Sequence, residues 1–475
     1  MAKVRITMPK PLACLAALLC ILADLASIDL RAYAEQAIPS KLTISDAVTI
    51  ALKNHPRLKE AESSYLSALS SLRVAGLKTT LDFGSEAALE KYPGSSEVSN
   101  RVFGSFGYTT LFGTQARVDL SPFAVGNRQG SIALSVKQPL LRGRGYLSDR
   151  YDRWASAKNQ VIIRDKQLYQ TKQDTILRVV SAYLRAVNAR EQVKVQESAV
   201  EIAQRVADAA RRKAEAGYAA GIEATRAELR VADVKNQLQI QQQAAKSALE
   251  SLMLAMGVGV GQTPELIDTV PEVLPEIPTL EEALNRALKN RPELVVSDLQ
   301  IEDQQRLLAI AKDQLRPELN AVAQFNSVST GEGLISGSTI ENGTLVAGLE
   351  YRVALDKRAL LEEQQTTERN LEVLKLLKQY QLESIAEEVG RAYRTYQSEK
   401  TSLEIYTNNL KTAKENLELA NRMMEEASGT NRDVLDAQAA LTQTEANILS
   451  AKTGLYIAIL TLKNAMGEDL GAMFK

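Results

Sequence analysis

The chain has 475 residues, with 57 Lys+Arg against 58 Asp+Glu and a net charge of −1. The length exceeds one ordinary core, and the charge balance offers neither a basic excess for nucleic acid nor an acidic excess that would keep the chain unfolded. All 13 prolines lie at or before Pro317, which leaves the last third free to be helical.

Residues 1–34 read as a secretory signal. Lys3, Arg5 and Lys10 form a basic start, and Leu12 to Leu22 is an apolar run too short to span a bilayer. Ala32-Tyr33-Ala34 supplies the small-x-small site, which places cleavage after Ala34. A retained anchor is the alternative; Pro11-Leu12-Ala13-Cys14 is a poor lipoprotein signal. Cys14 and Cys20 both lie in this segment, so the mature chain would hold no disulfide. No later segment carries 18 consecutive apolar residues, so any membrane placement must use strands.

A helix is predicted from Thr43 or Ser45, which can cap it, through Ala51-Leu-Lys-Asn-His-Pro56-Arg-Leu58. Leu81 to Gln138 is rich in Gly, Ser, Thr, Phe and Tyr, and Ser131 to Lys137 alternates with period two, the mark of a half-buried strand. Tyr146 to Ala216 contains no Gly or Pro over 71 residues, enough for roughly 105 Å of helix. Gly217 and Gly221 mark a turn, and Ile222 to Met256 predicts the returning helix. Val195, Ala199, Ile202, Val206 and Ala209 step 4, 3, 4, 3, as a knobs-into-holes seam does.

The pattern then starts again. Thr279 to Leu294 repeats Thr43 to Leu58 at an offset of 236, and Ala392-Tyr393 to Ala465-Met466-Gly467 repeats Ala182-Tyr183 to Ala255-Met256-Gly257 at 210. The first copy therefore carries 26 extra residues between these registers. Such doubling predicts two structural units, 35–270 and 271–475. In the second, Asn320 to Val328 and Leu345 to Val353 alternate, and Gly390 is the only Gly or Pro between Leu349 and Ser428. Leu403, Tyr406, Leu410, Ala413, Leu417, Ala420 and Met424 form a second seam, and Gly429 marks a second helix tip. The expectation is mostly α with about two strands per copy, within 79–138 and 318–355, and loops at 93–105 and 329–343. Four strands cannot close a barrel, so strands in a membrane require several chains to share one. A small periplasmic β-domain beside a coiled coil is the alternative.

The doubled Ala-Leu-Lys-Asn-x-Pro-x-Leu, the exit Gln138-Pro139-Leu140-Leu141-Arg142-Gly143, the tip Asp433-Val434-Leu435-Asp436-Ala437-Gln438 and the terminal Ala465-Met466-Gly467 resemble the TolC-like outer membrane efflux proteins over essentially the whole mature chain. The resemblance implies a homotrimer in the outer membrane of a Gram-negative cell. It implies a 12-stranded barrel, four strands from each chain, above an α-helical barrel that crosses the periplasm. It also implies a periplasmic adaptor and an inner-membrane pump or ABC transporter as partners, in efflux or type I secretion. Two features depart from the family pattern: Val353-Ala354-Leu355-Asp356 carries Ala where Pro is usual, and the stretch from Gly429 to Asp433 is short.

Candidate gate residues are Asp433 and Asp436, three apart on one helix face, with Arg432 beside them and Glu223 and Arg226 as their counterparts in the first copy. In a trimer the pair would supply six carboxylates that resist closure and attract cations. Equally, Asp433 can cap the helix start with Asp436 in its first turn. Arg226 or Arg432 would tether an acidic partner in a closed state. Catalysis, metal and cofactor are not expected. His55 is the only histidine, Arg291 replaces it in the other copy, and no phosphate-binding loop is present. Trp154 reads as an interfacial anchor or a packing residue. The function expected is a passive exit channel, with a periplasmic structural or adaptor coiled coil as the alternative.

Overall fold

The computed structural model describes residues 39–474 except 93–94, 126–128, 217–220, 260, 262, 272–274, 331–342, 427 and 429. The signal segment, Gly217 and Gly429 thus lie outside the described residues. The first copy runs through β1 (Lys41–Leu42), α1 (Ile44–Asn54), α2 (Pro56–Gly76), β2 (Thr79–Tyr92), β3 (Ser95–Thr109), β4 (Gln115–Val125), β5 (Gln129–Pro139), α3 (Asp149–Glu215) and α4 (Gly221–Met256). The second runs through β6 (Glu265–Leu266), α5 (Leu280–Asn290), α6 (Pro292–Gln314), β7 (Glu318–Thr330), β8 (Gly343–Arg352), α7 (Arg358–Glu425) and α8 (Asn431–Ala465).

Thr43 and Thr279 both cap their helices through reciprocal bonds with the acidic residue three positions on. Pro56 and Pro292 then open α2 and α6 at the first helical position, where a missing N–H costs nothing. α3 and α7 span 67 and 68 residues. α3 begins at Asp149, later than Tyr146, because Gly145–Leu147 is a short 3-10 turn and Ser148 caps the helix.

The second seam is covered as its spacing predicts: Leu403 through Met424 are the shielded positions on an otherwise exposed helix segment. The first seam holds at Ala199, which is buried with Val200 and Ala203 against Val234, and further along the buried positions fall one residue later. Val200, Ala203, Ala207 and Ala210 are buried against Val234 and Ala227 of α4, while Val206 packs on Ala420, Val434 and Ala437 of the second hairpin. This stretch of α3 meets both α4 and the second hairpin, so its apolar stripe is wider than one seam needs.

The terminal Ala-Met-Gly of each copy has a packing cause. Gly257 and Gly467 end α4 and α8 with φ of +71° and +72°. A Cβ on Gly257 would stand 2.9 Å from Cα of His55, and one on Gly467 would stand 3.1 Å from the carbonyl carbon of Asn290. Each hairpin therefore ends with its backbone pressed on the kink between the two short helices of its own copy, where only glycine fits. His55 is buried at that kink, and burial, then the charges of Arg178 and Arg57, push its pKa down. Tyr183, fully buried, donates to the Leu42 carbonyl at 2.8 Å and accepts from the Asp268 N–H at 3.2 Å, fixing the β1–β6 pair to α3.

Six strands form the main sheet, in the order β2-β3-β4-β5-β7-β8, all antiparallel. The expected count of four is corrected here. At the offset of 236, β7 falls on β2, and at 210, β8 falls on β5, so the 26 extra residues of the first copy become β3 and β4 in place of a loop. Residues 95–105, expected as loop from their glycine and serine content, are strand. Just beyond that stretch, Gly107 is dictated by packing: a Cβ on it would stand 2.5 Å from Oγ1 of Thr80 across the β2–β3 pair.

Gly257→Ala and Gly467→Ala should each destabilise the detergent-purified protein by about 1–3 kcal/mol, the range for a residue forced into left-handed backbone. Thermal melts followed by circular dichroism would check this; Gly76→Ala, where the added Cβ meets nothing within 4 Å, should stay near the parent melting point.

Candidate functional site: a two-faced sheet above helical tips

The registers divide the sheet into two unlike faces. One carries Leu81, Phe106, Tyr108, Val118, Leu120, Ile132, Leu134, Val136, Phe325, Leu345, Leu349 and Tyr351. The other carries Thr80, Asp82, Ser105, Arg117, Asp119, Ser135, Lys137, Asn320, Gln324, Asn326 and Glu350. The apolar face is uncovered, with Leu81 80%, Leu345 71% and Leu349 69% exposed. So large an exposed apolar surface has no place in water. On the polar face Lys137 pairs with Glu318 at 3.2 Å and Glu350 at 3.3 Å, and Arg352 joins Glu350 at 2.7 Å. The strands are 10 to 15 residues long, and crossing a bilayer takes about 9–11. No helix among the described residues is long and apolar enough to do so.

Aromatic rings collect where sheet meets helices. Tyr108 and Tyr351 lie at that end of the apolar face, beside a run of ring contacts, edge-on from Phe112 to Tyr146 at 6.2 Å and Tyr146 to Tyr151 at 4.9 Å and tilted from Tyr151 to Trp154 at 5.8 Å. Trp154 is thus packed within this cluster, with the Lys158 ammonium 5.7 Å above its ring.

The exit to α3 is built around Pro139 and Gly143. Pro139 ends β5, paired with Asn320, and Leu140 donates to the Leu319 carbonyl at 2.8 Å. Gly143 takes φ of +72°, and its N–H donates at 2.8 Å to the carboxylate of Asp313, which is buried at the end of α6. The β3–β4 turn is stitched onto the same place: Ser148 donates to the Leu111 carbonyl at 2.6 Å, and a Cβ on Gly113 would stand 2.8 Å from the Gly143 carbonyl. Neither Asp313 nor this turn was marked by any sequence signal. In the second copy Asp356 takes over at the exit, accepting from the Arg358 backbone and side chain.

At the far end of the helices stand the tips. Thr430, not Asp433, is the N-cap of α8; Asp433 is the third helical residue of a capping box, accepting from the Thr430 N–H at 2.8 Å and hydroxyl at 2.7 Å. Asp433 and Asp436 are both exposed, on the side of α8 away from the packed Val434 and Ala437. The tip arginines pair within their own helices, Arg432 with Asp436 at 3.5 Å and Arg226 with Glu223 at 3.0 Å. Gly221, expected in the turn, is the first residue of α4.

Comparison with known proteins agrees with this architecture. No curated protein matches the sequence. Solved structures do match: CusC, described as forming a transmembrane channel, at 13% identity and a TM-score of 0.71 over 90% of this chain and 92% of its own. The outer membrane protein VceC from Vibrio cholerae matches at 14% and 0.68, over 90% and 96%. The Neisseria gonorrhoeae MtrE outer membrane channel, in its open state, matches at 13% and 0.68, over 90% and 89%. Identities this low speak for the fold alone. The outer membrane efflux protein family model matches residues 47–258 and 283–468, the two copies in turn. With most of both copies matched, the chain belongs to the outer membrane efflux protein family.

Proposed function

We propose that the chain is the passive outer-membrane exit channel of a tripartite efflux or type I secretion system. A homotrimer would work with a periplasmic adaptor and an inner-membrane pump or ABC transporter. The carrying observation is the sheet: apolar and bare on one face, polar and ion-paired on the other, with strands that run directly into helices of about 100 Å. The apolar face suits outer-membrane lipid and the polar face suits a water-filled lumen. The aromatic residues at the sheet–helix boundary fit the girdle such barrels place at the membrane surface. A signal peptide removed after Ala34 would deliver the chain to the periplasm, where 35–270 and 271–475 act as the two structural units. A soluble periplasmic adaptor would gain nothing from an uncovered apolar sheet face.

In this reading the helix tips gate the conduit. Asp433 and Asp436 from three chains would ring its periplasmic end, and Arg432 or Arg226 would exchange its present partner for an acidic group of a neighbouring chain on closure. The capping role of Asp433 is compatible with the ring, because the outward oxygen of an exposed carboxylate still projects charge.

Reconstituted in planar bilayers, the purified protein should form discrete cation-selective channels, and Asp433→Ala/Asp436→Ala should lower that selectivity; unchanged selectivity and conductance would remove the ring. The capping role has its own pH signature. Hydrogen bonds from Thr430 hold the Asp433 pKa below the ordinary 3.8. A depressed carboxylate stabilises the fold above its ordinary pKa and stops doing so as pH falls through the lower folded value. Amide exchange over 430–436, normalised for intrinsic rates, should stay protected from pH 7 to pH 5 and lose protection only toward pH 3. Loss already at pH 5 would contradict the cap.

A further inference from the structure

We infer that each chain lends six strands to the barrel, so that three chains close a ring of eighteen strands and not twelve. The inference rests on the channel reading above and adds to it the width of the outer-membrane pore.

The hairpin of β2 and β3 is a full member of the sheet. β3 pairs with β4 from Thr109↔Gln115 to Asn100↔Val125, with one irregularity between Val102 and Gly104. The turn that joins β3 to β4, Thr110 to Thr114, lies at the helix end of the sheet and is bonded to the exit of β5 through Ser148 and Gly145. A hairpin folded away from the membrane would not need that anchorage. At the helix end of the hairpin the two-faced pattern continues, with Leu81, Phe106 and Tyr108 on the apolar side and Thr80, Asp82 and Ser105 on the polar side.

The edges then decide how copies join. Among the described residues β2 and β8 each pair on one side only. β2 leaves the helices and β8 returns to them, so β8 of one copy meets β2 of the next antiparallel, head to tail, in a contact that closes into a ring. Open edges in hydrocarbon leave peptide groups unbonded at several kcal/mol each, so closure is obligatory. Six strands per copy give eighteen for three copies. Barrel diameter grows roughly in proportion to strand number, and barrels of about 16–18 strands hold an aqueous channel. The barrel would be about half again as wide as one of twelve strands, which places the narrowest point of the conduit in the helices.

Disulfide trapping between copies tests this, because the only cysteines, Cys14 and Cys20, precede the structural units. Leu81→Cys on β2 would be combined in turn with Leu345→Cys, Ala347→Cys and Leu349→Cys on β8. Val118→Cys on β4 would be combined with the same three, since β4 would meet β8 if the hairpin stood outside the ring. Oxidation of detergent-purified full-length protein should give covalent oligomers on non-reducing gels with at least one Leu81 pair and with no Val118 pair. Oligomers from a Val118 pair, or from neither set, overturn eighteen strands. Planar-bilayer conductance of the same preparations separates the two claims: channels together with a Val118 cross-link would leave the exit-channel reading standing with a narrower barrel.

Discussion

A peptide group in hydrocarbon has no water to bond, so a sheet placed there can have no open edge. Most of this molecule follows from that constraint. Placed in hydrocarbon, a sheet that ends at β2 on one side and β8 on the other would have to meet copies of itself. Because β2, β5, β7 and β8 continue directly into α2, α3, α6 and α7, a ring of strands imposes a ring of helices beneath it. Toward their tips the long hairpins pack by narrow seams, α3 meeting α4 along one and the second hairpin along another. Only the β3–β4 turn has no helix below it, and it is tied instead to the exit of β5.

The helical part was legible because its signal is strong and local. Long runs without Gly or Pro and the 3-4 seam of Leu403 to Met424 specify long packed helices, and Thr43 and Thr279 specify where the short ones begin. The doubled Ala-Met-Gly was visible as a motif, but its cause was not. It lies in a backbone contact between residues some 200 apart, which no local pattern encodes. The first seam is only partly legible, with Ala199 in place and later buried positions one residue on, because this stretch of α3 meets both α4 and the second hairpin.

The sheet was read less well, for a physical reason. Barrel strands alternate weakly, and their lumen positions take Ser, Gly and Thr, the residues that elsewhere mark loops. Residues 95–105 show this, with Ser95, Ser96, Ser99, Gly104 and Ser105 all in β3. The offsets give the 26 extra residues, and the registers show them as two strands. At the tip the acidic pair is visible, but Thr430 and Asp433 are both residues that cap helices, and only the backbone shows that Thr430 takes that place.

In the channel proposed above, one face of this sheet meets lipid and the other meets water. Single cysteines at successive positions of β5, from Ser131 to Lys137, exposed to a water-soluble maleimide in purified oligomers reconstituted in lipid, test it directly. Labelling should alternate, strong at Ser131, Ala133, Ser135 and Lys137 and weak at Ile132, Leu134 and Val136. Uniform labelling along the strand would contradict the account.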